Sequence, residues 1–422
     1  MPSHPLVVTS RFDRSDSHTL MGYEATGGYQ GLRRALEMAP DAIAQEVRTA
    51  GLTGRSGGAA FLTAQKWSLL VDSEPRYLVI NGDESEPGFC KDRALMERDP
   101  HQLIEGSLIC ARAIGASQIF LYVRGEMALA QERIASALVE AYDAGYVGAD
   151  VLGTGWSIDI VLHWGAGAYI VGEETGLIES LEGKRAFPRT KPPYYPTTYG
   201  LYMQPTVVNN VETMSVLPWI VLNGGAAFAA LGENRSLGTR MFSLSGHVNR
   251  PGNYEVELAK LSFRELFESP DYGGGIRNGN ALKAFIIGAS FPWLGPEHLD
   301  LKMDIDATPP AGAPLGSGIV VMDETTCSVR AAWRLVKFYA HESCGQCTPC
   351  REGGSWLEKI MYRIESGAGR MEDLDLLMDV CDTISPAVQW PFKWPPSMTT
   401  ICALGPSIPP SIVSALGMFR DE

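Results

Sequence analysis

The stretch SIDIVLHWGAGAYIVGEETGLIESLEG, residues 157–183, contains a short apolar strand, a glycine-rich loop and a helical segment in succession. The same order recurs upstream, where apolar strand patterns at 76–81 and 118–123 alternate with helical patterns. Those helical patterns cover residues 40–51, 92–114 and 126–144. Such alternation is typical of an α/β domain built on a mostly parallel sheet. We therefore expect the first part of the chain to form a domain of this class.

The character of the chain changes twice further on. From about residue 239, short strand patterns surround one helical pattern, LSFRELFE (261–268), which indicates a small α+β domain. From residue 326 onward only helical patterns remain, which predicts a closing helical bundle. The sequence thus predicts a multidomain α/β protein with domains at 1–238, 239–325 and 326–422.

The chain is long enough for several domains, and it is acidic. Its 422 residues carry 35 lysines and arginines against 49 aspartates and glutamates, a formal net charge of −14. Non-specific nucleic-acid binding relies on cations that neutralise phosphates, so no nucleic-acid partner is expected. The most apolar stretch, 211–231, is interrupted by charged, glycine and proline residues, so no membrane insertion is expected either. Because the N-terminus lacks a signal-peptide pattern, we expect a cytoplasmic protein.

Three cysteines lie close together near the start of the helical part. In SCGQCTPCREGG (343–354), Cys344, Cys347 and Cys350 follow a C-x2-C-x2-C pattern. Three thiolates at this spacing can bind three corners of a 4Fe–4S cluster, and Cys402 is the best candidate for the fourth ligand. Zinc is the competing metal, although zinc sites usually combine two separate pairs of ligands. Cys381 falls in the apolar stripe of a helical pattern and is expected in the core.

Two glycine-rich loops and an acidic turn are candidates for a nucleotide site. GLTGRSGGAAFLTAQKW (51–67) combines glycines with Arg55 and Lys66, which can neutralise a phosphate. GAGAYIVGEE (165–174) lies between a strand and a helix, but Ile170 stands where the dinucleotide fingerprint needs glycine. The acidic turn NGDESEPG (81–88) follows a strand, and its carboxylates can accept hydrogen bonds from ribityl or ribose hydroxyls. Each loop alone is also consistent with a surface turn, but three at successive strand ends favour a crevice site.

Together these motifs resemble one family, the FMN- and NADH-binding (51 kDa-type, F) subunit of respiratory complex I, NADH:quinone oxidoreductase. The matching segments run in family order from about residue 30 to the end of the chain: GRSGGAAF, KW, NGDESEPG-FCKDR, HWGAGAYIVGEETGLIESLEGK, PTVVNNVET, SGHVNRPG, HESCGQCTPCREG and TICALG. The resemblance implies a Rossmann-like FMN domain, a ubiquitin-like (β-grasp) α+β domain and a C-terminal four-helix bundle that binds one 4Fe–4S cluster.

The resemblance also implies which residues bind FMN and NADH. The cofactor-binding set is Gly54, Arg55, Gly57, Gly58, Phe61, Lys66, Asn81, Asp83, Glu84, Gly165, Gly167, Tyr169, Gly172, Glu173, Lys191, Tyr194, Val208, Asn209 and Asn210. Within it, the NADH adenine would stack on Phe61, with Tyr194 where the family usually has phenylalanine. Glu86 and Glu174 would border the nicotinamide as the catalytic-site carboxylates. The metal ligands would be Cys344, Cys347, Cys350 and Cys402.

The implied function is oxidation of NADH by hydride transfer to FMN, followed by single-electron transfer to the 4Fe–4S cluster and onward toward quinone. The implied partners are other peripheral-arm subunits of complex I, the 2Fe–2S (24 kDa-type) subunit and the large iron–sulfur subunit. Such a protein would be cytoplasmic and peripheral on the inner face of the cell membrane. The alternatives are the diaphorase subunit of an NAD-linked hydrogenase or formate dehydrogenase, and a structural electron-wire subunit that has lost NADH oxidation.

A few positions depart from the family pattern. In the first glycine loop Ser56 is inserted and Ala60 replaces a glycine. The turn GAS (288–290) replaces a usual Gly-Gly-Ser. An extra segment that includes QWPFKWPP (389–396) precedes Cys402.

Overall fold

The structure is a computed structural model of the chain, and it describes residues 4–57 and 61–422. The first part forms a sheet in which neighbouring strands run parallel. Its strands are β1 (Tyr77–Gly82), β2 (Gln118–Val123), β3 (Ile160–Trp164) and β4 (Thr206–Asn210), in the order β3-β2-β1-β4. The register places Val79 of β1 between Phe120 of β2 and Val208 of β4.

Helices precede this sheet and connect its strands. In chain order they are α1 (Leu20–Glu24), α2 (Gln30–Glu37), α3 (Pro40–Thr49), α4 (Thr63–Ser68), α5 (Lys91–Arg98), α6 (Pro100–Ile114), α7 (Ala128–Asp143), α8 (Glu174–Leu181), α9 (Pro196–Tyr199), α10 (Val211–Ser215), α11 (Leu217–Asn223) and α12 (Gly225–Ala229). Asp99 separates α5 from α6, because its side chain caps α6 by accepting from the Gln102 N–H while Pro100 takes the first helical position.

The side chains of the parallel sheet point alternately into two apolar layers. Leu78 and Ile80 belong to the larger core, which α6 and α7 also form, whereas Val79 and Phe120 belong to a smaller cluster with residues of α8. Successive strand residues face opposite sides, so a strand buried on both sides needs a continuous apolar run. This is why the sequence of β2 shows no alternation of polar and apolar residues.

The side on which strands are added to the sheet reverses after β3. β1, β2 and β3 are added in one direction, and β4 then returns to the other side of β1. In open parallel sheets, ligands bind at such a reversal, outside the carboxyl ends of the strands. The acidic turn after β1 and Asn210 at the end of β4 both lie at this edge.

A second sheet follows, with strands β5 (Thr239–Gly246), β6 (Gly252–Glu257), β7 (Leu282–Ile286) and β8 (Gly318–Asp323) in the order β6-β5-β8-β7. β5 and β8 are parallel, whereas the two outer pairs are antiparallel. The helix α13 (Phe263–Glu268) packs on this sheet, with the rings of Phe263 and Phe267 each 5.1 Å from that of Phe285. α13 begins with a capping box between Ser262 and Glu265, which fixes its first turn.

The C-terminal part consists of the helices α14 (Ser328–Glu342), α15 (Gly354–Glu365), α16 (Glu372–Ile384) and α17 (Pro409–Phe419). Their apolar faces share a core that includes Tyr339, Leu357 and Cys381. The prediction that Cys381 lies in the core is confirmed, because its side chain in α16 is fully buried. The same core includes Ile286 of β7, so these helices pack against the second sheet.

The predicted mixed α/β architecture with a parallel sheet is confirmed. The strand predicted at 118–123 has those bounds, and the helical pattern around Pro100 forms α5 and α6. β4 was not among the predicted strands, because its short apolar run passes directly into α10 without a turn signal. Within residues 4–57 and 61–422, no helix combines the length and the apolar character that a membrane crossing needs.

Candidate functional site

A cavity of about 420 Å³ lies at the carboxyl ends of β1 and β4. Its walls come from the acidic turn and glycine loops, from residues 288–291 after β7, and from residues 392–410 near the end of the chain. Several expected cofactor-binding residues line it: Gly57, Asn81, Asp83, Glu84, Tyr169, Gly172, Glu173 and Asn210. Glu86, expected to border the nicotinamide, lines it as well. The structure thus brings the acidic turn, the second glycine loop and the end of β4 to one cavity.

Asp83 has an unpaired acceptor atom in this cavity wall. Its Oδ2 accepts a hydrogen bond from the Ser85 hydroxyl at 2.8 Å, whereas its buried Oδ1 has no hydrogen-bond partner. Burial raises the pKa of Asp83 to about 7, against the opposing effects of the Ser85 hydrogen bond and of Arg124. Arg124 Nη1 lies 3.7 Å from Asp83 Oδ2. A ligand hydroxyl at Oδ1 would satisfy the carboxylate.

Glu84 stabilises the start of α5. Its carboxylate accepts hydrogen bonds from the backbone N–H groups of Lys91, Asp92 and Arg93 at 3.0, 3.1 and 3.0 Å. Burial, followed by the charge of Asp92, raises the pKa of Glu84 to about 7 despite these hydrogen bonds and Lys91. The Asp92 carboxylate in turn accepts from the Asn210 amide at 2.6 Å. Glu84 therefore supports the cavity wall by holding α5 in place.

Glu86 joins the three parts of the chain at the cavity. Its Oε1 accepts from the Ser290 N–H at 2.8 Å, from the Ser290 hydroxyl, and from the Tyr339 hydroxyl at 3.0 Å. Its Oε2 accepts from the Tyr169 hydroxyl. Ser290 follows β7, Tyr339 lies on α14 and Tyr169 follows β3. One carboxylate therefore fixes elements of all three parts relative to one another.

Glu173 and Glu174 are paired with two lysines beside the cavity. Glu173 caps α8, because its Oε2 accepts from the Gly176 N–H at 2.8 Å, while its Oε1 accepts from Lys191 Nζ at 2.9 Å. Glu174 lies 2.8 Å from Lys191 Nζ and 3.6 Å from Lys66 Nζ. Burial alone would raise the pKa of Glu174, but these two lysines outweigh it and lower the pKa. Glu173 lines the cavity, whereas Glu174, Lys66 and Lys191 do not.

The Arg55 side chain does not line the cavity. It is fully buried, and its guanidinium donates to the backbone carbonyls of Thr53 at 3.2 Å and Leu237 at 2.9 Å. Its backbone N–H donates to the Thr213 hydroxyl at 2.9 Å. The expectation that Arg55 neutralises a phosphate with its side chain therefore does not match its placement, and its contacts instead hold the glycine loop against the core.

The structure describes the first glycine loop on both sides of residues 58–60. Gly58 lies outside the described residues. The Gly54 N–H donates to the Phe61 carbonyl at 2.9 Å, which closes the loop. The Phe61 and Tyr194 rings, expected to hold the adenine, are 46% and 39% exposed and do not line the cavity. Exposed aromatic rings of this kind remain available for stacking.

Two of the expected residues, Val208 and Asn209, lie inside β4 rather than at its end. Both are buried, and neither lines the cavity. The Val208 carbonyl accepts a hydrogen bond from Lys66 Nζ at 3.1 Å, which draws α4 toward the strand. Gly165 and Gly167 likewise shape the loop after β3 without lining the cavity.

The four predicted cluster ligands surround one small pocket, which Cys344, Cys347, Cys350 and Cys402 all line as free thiols. Burial, together with neighbouring thiols, raises the pKa of Cys350 to about 11 and that of Cys402 to about 12. The Ile401 N–H donates to Cys347 Sγ at 3.3 Å. Within the described residues, no three His, Cys, Asp or Glu side chains are close enough to hold a single metal ion. Four thiols around one pocket with an N–H donor are the donor set of an iron–sulfur cluster.

The cysteine pocket and the larger cavity share a wall. Ile170, Cys402 and Leu404 line both of them. Cys402 is therefore at once a member of the thiol set and part of the cavity surface. A group bound in the cavity would be separated from a cluster on the thiols by a single layer of side chains.

Two family descriptions match the chain. Residues 47–219 match the Nuo51 FMN-binding domain, and residues 330–422 match the NADH-ubiquinone oxidoreductase-F iron-sulfur binding region. The NADH-quinone oxidoreductase F subunit of Mycobacterium tuberculosis (strain ATCC 25618 / H37Rv) is 46% identical, over 99% of this chain and 92% of the relative. The corresponding F 2 subunit of Rhizobium meliloti (strain 1021) is also 46% identical, over 99% of this chain and 96% of the relative. The chain belongs to the family of NADH-quinone oxidoreductase F subunits.

A solved structure is also similar to this member of the F-type family. It is the crystal structure of an NAD⁺-reducing NiFe hydrogenase in the H₂-reduced state, with a TM-score of 0.77 and 34% sequence identity. The match covers 99% of this chain and 66% of the hydrogenase chain, so the chain spans about two thirds of that structure's length. The sequence identity is thus lower than with the NADH-quinone oxidoreductase relatives.

As a member of the NADH-quinone oxidoreductase family, the chain uses FMN, NADH and one 4Fe–4S cluster. The residues present fit these groups. Asp83 Oδ1 is a buried acceptor without a partner, as a ribityl hydroxyl requires. The four thiols around one pocket match the ligand number of the cluster.

Sequence reasoning missed two sets of residues in this NADH-quinone oxidoreductase site. The first is the apolar wall of the cavity, to which Phe291, Phe392 and Trp394 contribute. The second is the pair of hydroxyl donors to Glu86, Ser290 and Tyr339. The turn 288–290 and the segment 389–396 were noted as departures from the family pattern, but local sequence does not say which distant elements such segments contact.

Proposed function

We propose that this chain oxidises NADH at FMN bound in the 420 Å³ cavity and delivers the electrons to a 4Fe–4S cluster on its four cysteines. The observation that carries this proposal is the shared wall of the two pockets, made by Ile170, Cys402 and Leu404. When bound, FMN supplies the acceptance of a hydride from NADH and the release of single electrons. The protein supplies binding, orientation and exclusion of water.

The polar side of the cavity is suited to the hydroxylated part of FMN. Asp83 Oδ1 accepts a hydrogen bond from a ribityl hydroxyl in this proposal, because this buried oxygen has no partner in the described part of the chain. Asn81 is held in position, because its amide donates to the Gly172 carbonyl at 2.9 Å and its side-chain oxygen accepts from the Asp83 N–H at 3.1 Å. Asn210 is held in the same way by Asp92. Prearranged polar groups of this kind fix a ligand without a further entropic cost for their own ordering.

The phosphate of FMN is assigned to the first glycine loop, where Gly54 and Gly57 allow close backbone approach. Gly58 is assigned to the same set from the sequence and lies outside the described residues. Lys66 is the cation assigned to the phosphate, because its side chain is only partly buried whereas Arg55 is fully buried. Glu173 and Gly172 border the cavity from the opposite loop.

For NADH, the proposed contacts are Phe61 and Tyr194 on the adenine and Glu86 and Glu174 beside the nicotinamide. Both rings are partly exposed, as stacking on a dinucleotide requires. Four donor groups position the Glu86 carboxylate, so it can accept a further hydrogen bond from an amide without changing rotamer. The hydride step needs no protein acid or base, so these carboxylates are assigned binding and orienting roles.

The cluster ligands are proposed to be Cys344, Cys347, Cys350 and Cys402. Burial raises the thiol pKa of Cys344, Cys350 and Cys402, so the free protein holds these three groups as thiols, and ligation releases their protons. The Ile401 N–H on Cys347 remains as a donor to the bound thiolate and stabilises its charge.

We further infer the bounds and the fold of each of the three domains. The first domain, residues 1–238, is Rossmann-like. Residues 239–325 form a ubiquitin-like (β-grasp) domain, supported by a mixed sheet with parallel central strands and one packed helix. Residues 326–422 form a four-helix bundle, supported by the shared core of α14 to α17.

The proposed partners are the 2Fe–2S (24 kDa-type) subunit and the large iron–sulfur subunit of complex I. The proposed location is cytoplasmic, peripheral on the inner face of the cell membrane. Both proposals are supported by the names of the full-length relatives, which are components of NADH-quinone oxidoreductase.

A second candidate function is that of the diaphorase part of an NAD-linked hydrogenase. The similarity to the NAD⁺-reducing hydrogenase structure favours it, and the higher identity to the NADH-quinone oxidoreductase proteins weighs against it. The two can be separated by the activity of the purified native assembly. NADH-dependent quinone reduction supports the first reading, and hydrogen-dependent NAD⁺ reduction supports the second.

The central test is anaerobic titration of the full chain with NADH, followed by flavin absorbance and low-temperature EPR. Bleaching of the flavin together with a reduced-cluster signal is the expected result. A flavin that binds but ignores NADH would favour the electron-wire alternative. A reconstituted chain without flavin and iron would overturn the proposal.

A further inference from the structure

An aromatic loop, residues 386–396, leads from α16 toward Cys402. Its two ends are held together, because the Ser385 hydroxyl donates to the Ser397 carbonyl at 2.7 Å and the Thr399 hydroxyl donates to the Thr383 carbonyl at 2.8 Å. Surface loops of this length whose ends lie close together are frequently functional.

Two aromatic side chains of this loop reach the cofactor cavity. Phe392, which is buried, and Trp394 both line it. The Trp394 ring packs edge to face on Phe291, with ring centroids 5.4 Å apart at 84°. The Phe392 backbone lies so close to Gly312 that a Cβ there would be 2.8 Å from the Phe392 carbonyl oxygen. These contacts fix the two aromatic residues against the second sheet.

A third aromatic residue of the same loop faces elsewhere. Trp390 packs on Gly417 of α17, where an added Cβ would lie 2.2 Å from the indole ring. Trp390 does not line the cavity. Trp390 can therefore serve as an internal control for Phe392 and Trp394, because it belongs to the same loop but contacts α17 instead of the cavity.

The cavity lining is of two chemical kinds. The acidic turn and Asn210 contribute carboxylates and amides, and the aromatic loop, Phe291 and residues 404–410 contribute apolar groups. A ligand that suits both has a flat, largely apolar ring system at one end and a hydroxylated, anionic tail at the other. FMN combines such a ring system with such a tail. Aromatic side chains contribute large contact areas with specific ring geometry.

We propose that Phe392 and Trp394 form the wall that holds the ring end of FMN, and that the aromatic loop retains the flavin in the protein. This inference rests on the proposed binding of FMN in the cavity. The same segment continues into Cys402, which lines both the cavity and the cysteine pocket.

The test compares FMN binding by flavin-depleted full-length chains that carry Trp394→Ala, Phe392→Ala or Trp390→Ala. FMN fluorescence is titrated with each protein, and iron content and visible cluster absorption are recorded on the same samples. We expect Trp394→Ala and Phe392→Ala each to weaken FMN binding by about tenfold or more, with iron content unchanged. Trp390→Ala should bind FMN as wild type does, and Trp394→Phe should recover most of the lost affinity.

The outcomes distinguish a failure of the proposed wall from a failure of the proposed function on which it rests. A wild-type chain that binds no FMN contradicts the proposed function itself. If wild type binds FMN and the Trp394→Ala chain binds it equally well, the wall role is wrong. Equal weakening by Trp390→Ala would indicate a general loss of loop structure and would also overturn the wall role.

A raised KM for NADH with unchanged FMN affinity would assign the wall to the dinucleotide. Trp394 is partly exposed, so its replacement tests the idea even if Phe392→Ala does not fold.

Discussion

At the scale of single residues, Asp83 is a buried carboxylate in the wall of the cavity. Its pKa is raised from 3.8 to about 7, chiefly by burial, so the folded chain binds this proton more tightly than the unfolded chain does. The contribution of Asp83 to the free energy of unfolding therefore falls as the pH rises from about 4 to about 7. In the FMN-free chain we predict that Asp83→Asn increases the free energy of unfolding by about 3 kcal/mol at pH 8 and changes it little below pH 4. Urea unfolding at both pH values measures this difference.

The control for this prediction is Asp13→Asn, because Asp13 is exposed near the N-terminus. It should leave the free energy of unfolding unchanged at either pH. The Asp83→Asn chain should also bind FMN more weakly at pH 8, since the amide is a weaker acceptor than the carboxylate at Oδ1. Identical unfolding curves for the Asp83→Asn and wild-type chains at pH 8 would show that the carboxylate is not destabilised in the fold.

The sequence predicted the residue types of the site better than their orientations. The acidic turn and the three closely spaced cysteines could be predicted, because strand ends and thiol spacing are local signals. Cys402 lies far from that spacing, so the sequence made it only the best candidate for the fourth ligand. The orientation of Arg55 could not be predicted, because its guanidinium donates to the carbonyl of Leu237, which lies far along the chain. Trp394 was missed for the same reason, since its partner Phe291 belongs to another part of the fold.

At the scale of elements, the loop after β3 depends on a close approach to β2. A Cβ on Gly165 would lie 2.6 Å from the Tyr122 ring, which is buried in the core and cannot yield. We predict that Gly165→Ala lowers the free energy of unfolding by about 1–3 kcal/mol. It should also weaken FMN binding, because the displaced loop carries Tyr169 and Gly172 of the cavity wall. Urea unfolding and FMN fluorescence titration measure the two effects.

A suitable control for that loop is Gly252→Ala on β6. The nearest atom to its new Cβ would be 3.7 Å away, which is ordinary van der Waals contact. This variant should unfold and bind FMN as wild type does. If both glycine variants behaved alike, the close approach to Tyr122 would have no energetic consequence.

Elements with strong periodicity were predicted with their correct type, and short ones were not. β2 has a continuous apolar run because both of its faces are buried, and this signal is independent of context. β4 is equally buried but has only a few residues before α10 begins. Its pairing with β1 comes from the reversal of the sheet topology, which is a long-range property and leaves no local pattern.

At the scale of the whole molecule, the sequence indicated three parts but not how they meet. Their meeting point is the cavity, where Glu86 accepts from Ser290 and Tyr339 and where Cys402 reaches the wall. These contacts join residues far apart in sequence, so no window of local sequence contains them. The proposed flavin wall depends on this assembly, because it draws on more than one part of the chain.

The last prediction concerns this junction. The hydroxyls of Ser290 and Tyr339 both donate to Glu86 Oε1, and they lie 3.0 Å from each other. Removing one leaves the other to reorganise, so Ser290→Ala and Tyr339→Phe should not have additive effects on the free energy of unfolding. We predict an interaction energy of about 0.5–2 kcal/mol in a double-mutant cycle measured by urea unfolding of the full chain. The matched cycle pairs Tyr339→Phe with Ser262→Ala, which removes the cap of α13, and should be additive within about 0.5 kcal/mol. Additivity in both cycles would mean that Glu86 does not couple the second sheet to the helices, and that packing alone holds the three parts around the cavity.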